Sequence, residues 1–145
     1  MKVSSINSVV FGLLVLLLSL NLSKASLTDD EVKAIIESAG TQCQQALELS
    51  MEEAKFLFPQ TLQGLEKFND KMKCYMFCFY QKLKMIDTDG KPDSKAFTVF
   101  FEGEFGKHKE KVQPAIAKCL TDVRITDCDA MAKVEHCLYE NILEQ

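Results

Sequence analysis

Six cysteines are the residues whose type and spacing most invite chemistry: Cys43, Cys74, Cys78, Cys119, Cys128 and Cys137. The gaps between them are 30, 3, 40, 8 and 8 residues. Such a set can ligate zinc as thiolates or pair into disulfides. Cys74 and Cys78 form a close pair, and a zinc site would need a second close pair or histidines at ligand spacing. His108 and His136 are the only histidines, and neither completes such a site. No metal and no cofactor is expected. The even cysteine count points to three disulfides, and spacing alone leaves their pairing open.

Other reactive patterns are weaker. Asp87-Thr88-Asp89-Gly90-Lys91-Pro92 superficially suggests a calcium loop. An EF-hand loop puts its glycine sixth and a bidentate glutamate twelfth, whereas Gly90 is fourth and Thr98 twelfth here. The segment reads as a turn. A Gly-x-Ser-x-Gly elbow is absent. A helical secreted phospholipase would need a His-Asp pair beside a cysteine, but His136 is followed by Cys137 and Leu138. No catalytic residue is expected, and the chain is not read as an enzyme. Its 145 residues suit one domain, with 47 % apolar residues to build a core. A net charge of −4 argues against a nucleic-acid partner.

The N-terminus decides the redox setting. Lys2 precedes a 12-residue apolar block, Val9 to Leu20, interrupted by Gly12 and Ser19. A membrane span takes roughly 20 such residues. Small residues flank Lys24, so residues 1–25 read as a secretory signal cut after Ala25. The sequon Asn21-Leu22-Ser23 falls inside the removed piece. The working domain is then residues 26–145, secreted and extracellular, with no membrane span. Cleavage removes two lysines and no acid, which leaves a charge of −6. All six cysteines remain, in an oxidising compartment where disulfides persist.

The elements that position these residues read as helices throughout. Thr28-Asp29-Asp30-Glu31 is a capping box, followed by Val32, Ile35, Ile36 and Ala39 at helical spacing, with a bend expected at Gly40. Ser50 to Glu53 is a second capping box, opening a short helix to about Phe58 that Pro59 stops. Residues 60–68 read as a loop. From Asn69 to Ile86, Met72, Met76, Phe79, Tyr80 and Leu83 share one face, and Cys74 and Cys78 share the opposite one. Two roughly parallel cysteine side chains should bond outward to two different segments. Asp93 or Ser94 can cap a helix carrying Phe97, Phe100 and Phe101, which breaks at residues 102–106. The helix ending at Leu120 must kink at Pro114 or begin just before it. Thr126 to Asp129 cap the last helix, with Met131, Val134, Cys137 and Leu138 along one line. The fold class is all-α, a compact bundle of about six helices around an apolar cavity.

The x3 gap within Met72-Lys73-Cys74-Tyr75-Met76-Phe77-Cys78, the two x8 gaps, the signal and the all-helical pattern together resemble the six-cysteine odorant-binding proteins of insects, the pheromone/general-odorant-binding superfamily. The resemblance covers the whole mature chain. It implies interlocked bridges, first to third, second to fifth and fourth to sixth: Cys43–Cys78, Cys74–Cys128 and Cys119–Cys137. It also implies a non-enzymatic carrier of small hydrophobic molecules through an aqueous secretion. A membrane receptor at delivery is the further partner it brings, and the chain is expected to be a monomer or weak homodimer. A carrier of the same fold outside olfaction, in reproductive fluid, saliva or general lipid transport, is the alternative.

Composition suits a pocket, which needs apolar and aromatic walls with few polar groups. Nine Phe and three Tyr follow the signal, eleven of them between Phe56 and Phe105. Methionines suit a wall that adapts to several ligands. The expected wall residues are Met76, Phe79, Tyr80, Leu83, Phe97, Phe101, Ile116, Met131, Val134 and Leu138. Tyr75, Tyr80 and Tyr139 are the candidates for one orienting hydrogen bond. Ile142 and Leu143 are expected to serve as a lid at most. His108 and His136 read as solvated.

Overall fold

In the first helix, α1 (Asp29–Ala46), the Glu31 amide donates to Thr28 Oγ1 at 3.3 Å and the Thr28 amide to Glu31 Oε2 at 2.7 Å. This reciprocal pair satisfies two of the amides that a helix start leaves orphaned. The computed structural model describes residues 28–144. The signal reading of residues 1–25 lies outside the described residues. The Ser50 box opens α2 (Met51–Ala54) in the same way, with bonds of 3.1 and 2.9 Å. Single side chains cap four more: Thr61 for α3 (Leu62–Leu65), Asn69 for α4 (Asp70–Lys82), Asp93 for α5 (Ser94–Glu104) and Asp127 for α7 (Cys128–Leu143). A 3-10 turn, Gly106–His108, leads into α6 (Lys109–Leu120).

Three local expectations are corrected. Residues 60–68 are not all loop, because Thr61 caps the one-turn helix α3. Four residues are too few to display a period. Helix α1 runs unbroken through Gly40, where the missing side chain admits a neighbour: a Cβ there would lie 3.1 Å from Tyr75 Oη. Helix α4 stops at Lys82, four residues before Ile86. Lys84 adopts φ 61°, and Ile86 instead bridges to Pro92. Pro114 lies inside α6 on its exposed side.

The turn at 87–92 is closed by protein groups. Asp87 Oδ1 accepts from the amides of Asp89 (2.9 Å) and Lys91 (2.8 Å). Gly90 has φ 79°, and its carbonyl accepts from the Ile125 amide at 2.7 Å. A Cβ at Gly90 would stand 2.9 Å from the Ile125 oxygen, so only glycine fits there.

Packing follows the apolar stripes. Helix α4 lies against α1 and α7, α7 against α6, and α6 against α5. Three bridges fasten this arrangement: Cys43–Cys78 joins α1 to α4, Cys74–Cys128 joins α4 to the start of α7, and Cys119–Cys137 joins α6 to α7. These are the pairs the resemblance implies. Cys74 and Cys78 do bond outward to two segments, from the face of α4 opposite its buried side. The bridged residues are 35, 54 and 18 positions apart. In a chain-entropy account each bridge contributes about 3–4 kcal/mol.

The last helix corrects the lid expectation. It continues past Cys137 to Leu143, and Ile142 is fully buried in the core while Leu143 packs against it. The end of the chain is part of the bundle. No helix among the described residues is long and apolar enough to cross a membrane.

Candidate ligand-binding site

Four helices bring the expected wall residues together. Met76, Phe79, Tyr80 and Leu83 come from α4 and its C-cap, Phe97 and Phe101 from α5, Ile116 from α6, and Met131, Val134 and Leu138 from α7. All ten are buried, and all belong to one continuous core cluster. Helical spacing identifies them because a stripe at i, i+3, i+4 must face the packed side.

Their rings form a connected aromatic body. Tyr80 meets Phe97 at a ring-centroid distance of 5.2 Å and stands edge-on to Phe100 at 5.5 Å. Phe97 stacks on Phe101, and Phe101 on Phe105. Tyr139 stands edge-on to Phe105 at 5.0 Å. At the other end Phe79 stacks on Tyr75, and Phe58 meets Phe79 edge-on at 5.4 Å. Such geometries add to the burial of large apolar rings. Sequence reasoning misses Phe58, Phe100 and Phe105 as members. Phe100 sits at i+3 from Phe97 and was open to detection. Phe105 is the C-cap of α5, and Phe58 lies four residues past the end of α2, which stops at Ala54 rather than near Phe58 as expected, so no period marks either.

The three tyrosines have separate fates. Tyr139 Oη donates to the Pro59 carbonyl at 3.0 Å, tying α7 to the segment before α3. Tyr75 has its hydroxyl against Gly40. Tyr80 Oη donates to Glu135 Oε1 at 3.1 Å in a fully buried contact. Burial pushes the Tyr75 hydroxyl up to about 12, and those of Tyr80 and Tyr139 well above their ordinary value. All three are neutral donors at physiological pH.

Glu135 is the polar residue that sequence reasoning passes over. It is 1 % exposed, and its Oε2 has no hydrogen-bond partner among the described residues. Burial pushes its carboxyl up to about 8, opposed by the Tyr80 hydrogen bond. The acid therefore sits largely protonated near neutral pH. A signal was available: Met131, Glu135, Leu138 and Ile142 lie at i, i+4, i+7 and i+11, so Glu135 interrupts an apolar stripe. His136, the next residue, is exposed, and His108 is half-buried.

A concavity lies on the outside of the bundle. An open groove of about 340 Å³ is lined by Ala34, Ile35, Ser38, Ala39 and Gln42 of α1 and Lys82 of α4. It contains none of the ten expected wall residues.

A family model described as the PBP/GOBP family matches residues 25–141. The chain belongs to the PBP/GOBP family. No curated protein and no solved structure gives a significant match. PBP/GOBP proteins are the odorant- and pheromone-binding proteins of insects, and they bind and transport small hydrophobic ligands. The family is one of carriers rather than enzymes. In this PBP/GOBP chain the bridges fasten α1, α4, α6 and α7 around the aromatic body just described.

Proposed function

We propose that the chain is a secreted carrier of odorants, pheromones or similar small hydrophobic molecules, held in its apolar interior and moved through an aqueous secretion. One observation carries the reading furthest. Ten apolar and aromatic side chains from four helices, three of them joined by bridges, converge on one buried body with a single fully buried carboxyl group among the described residues. In the proposal these ten residues supply the ligand wall. Apolar lining with a sparse polar handle is the composition small-molecule sites favour. Family membership and the secretory character of residues 1–25 support the same reading.

Burying a small ligand at about 25 cal/mol/Å² supplies micromolar affinity without a charged contact. The test is a titration of the oxidised protein with a fluorescent phenylnaphthylamine probe, followed by displacement with unlabelled apolar molecules. Saturable binding of one probe per chain, reversed by those molecules, supports the carrier. Absence of saturable binding overturns it.

A further inference from the structure

We propose that Glu135, braced by Tyr80, is the polar anchor of the site, and that it selects apolar molecules carrying one carbonyl oxygen, as in a ketone or an ester. The proposal rests on the carrier reading and adds the chemistry of the ligand's head group.

Tyr80 Oη donates to Glu135 Oε1, and Oε2 is buried without a partner. A buried polar atom in this state is costly unless something completes it. Among the described residues no cation pairs with it. The ion pairs among the described residues, Lys55–Glu52, Lys73–Asp70 and Lys109–Glu102, leave Glu135 out. The titratable groups that bear on the pair are Tyr139 on α7 and Glu104 on α5, one a phenol and the other an acid. Fully buried, bonded to a neutral phenol and paired with no cation among the described residues, the carboxyl is neutral rather than charged.

Neutrality then fixes the hydrogen-bond polarity. With Oε1 accepting from Tyr80, the carboxyl proton belongs on Oε2, where it is a donor with no acceptor. Its complement is an acceptor oxygen that brings no donor of its own. A carbonyl meets that requirement. An alcohol would bring a hydroxyl hydrogen needing a further acceptor, and an ammonium head would need the ionised form. Tyr80 thereby acts as a positioning residue. Its bond holds the carboxyl at one oxygen and leaves the other to the ligand.

The test uses four molecules of one chain length: a methyl ketone, the matching secondary alcohol, the matching primary amine and the alkane. Each displaces the phenylnaphthylamine probe from the wild-type chain, Glu135→Gln, Glu135→Leu and Tyr80→Phe. In the wild type the ketone should bind about tenfold more tightly than the alkane, the equivalent of one net hydrogen bond. Glu135→Leu should erase that preference while still binding the probe. Glu135→Gln should keep most of it, because the amide retains a donor. Tyr80→Phe should retain part of it. The infrared stretch of a carbon-13-labelled ketone carbonyl gives a readout that needs no variant. It should fall on binding to the wild type relative to alkane solvent, and should not fall in Glu135→Leu.

A probe that fails to bind the wild type overturns the carrier reading itself. A probe that binds while the ketone shows neither preference nor a lowered stretch overturns the anchor alone. A preference for the amine that Glu135→Gln abolishes also overturns it, since the carboxyl would then act as an anion. Retention of the full ketone preference in Glu135→Leu has the same consequence.

Discussion

Replacing Glu135 with Gln should change how stability depends on pH. The carboxyl is 1 % exposed, and burial moves it from 4.5 to about 8. Below about pH 4.5 the acid is protonated in both the folded and the unfolded chain, and it exerts no pH-dependent effect. Between about 4.5 and 8 the folded chain keeps a proton that the unfolded chain has lost, so stability falls as pH rises through that window. Each pH unit inside it is worth about 1.4 kcal/mol, which amounts to roughly 3 kcal/mol between about pH 4.5 and pH 7. Glutamine does not titrate. It keeps an acceptor for Tyr80 and leaves amide hydrogens unpaired, a penalty that is constant with pH. The unfolding free energy of the variant minus that of the wild type should therefore rise by about 3 kcal/mol over this interval. Tyr80 and Tyr139 remain neutral throughout it. Glu104 on α5, also held up by burial, is present in both proteins and largely cancels in the difference. Urea unfolding of both oxidised proteins at a series of pH values gives the number. A difference that stays flat from pH 4.5 to 7 would refute a buried, protonated Glu135.

Further outcomes follow from the packing. The double variant Cys74→Ser/Cys128→Ser opens the bridge with the longest span, 54 residues, and should lower stability by about 4 kcal/mol in denaturant unfolding. Ile142→Ala empties a fully buried position near the end of α7. It should cost about 2–5 kcal/mol, whereas a residue serving only as a mobile flap would cost almost nothing. Gly90→Ala places a Cβ 2.9 Å from the Ile125 oxygen at a positive φ, and should lower the melting temperature with a loss of about 1–3 kcal/mol.

Much of this architecture is legible without coordinates, for local reasons. Thr28-x-x-Glu31 and Ser50-x-x-Glu53 announce helix starts because cap and partner lie one turn apart. The stripe through Met72, Met76, Phe79 and Leu83 is visible because one face of α4 must meet α7. The pairing of the cysteines was implied by family resemblance, and the opposed face of Cys74 and Cys78 is its physical counterpart. What stays hidden is set by tertiary context. Glu135 interrupts an apolar stripe in the sequence, but only the fold shows Tyr80 reaching it from 55 residues away. Helix α3 is too short to carry a period, and Gly40 reads as a bend until Tyr75 is seen against it. Ile142 reads as tail because nothing local says that α7 packs down to its last turn.

The central claim is that the ligand lies within the aromatic body. It is tested most directly by isotope-filtered nuclear Overhauser contacts between an unlabelled apolar ligand and the labelled, oxidised protein. The account predicts contacts from the ligand's aliphatic protons to the rings of Phe79, Tyr80, Phe97 and Phe101 and to the methyl groups of Met76 and Met131. Contacts confined to Ala34, Ile35, Ala39 and Lys82 of the outer groove would contradict it.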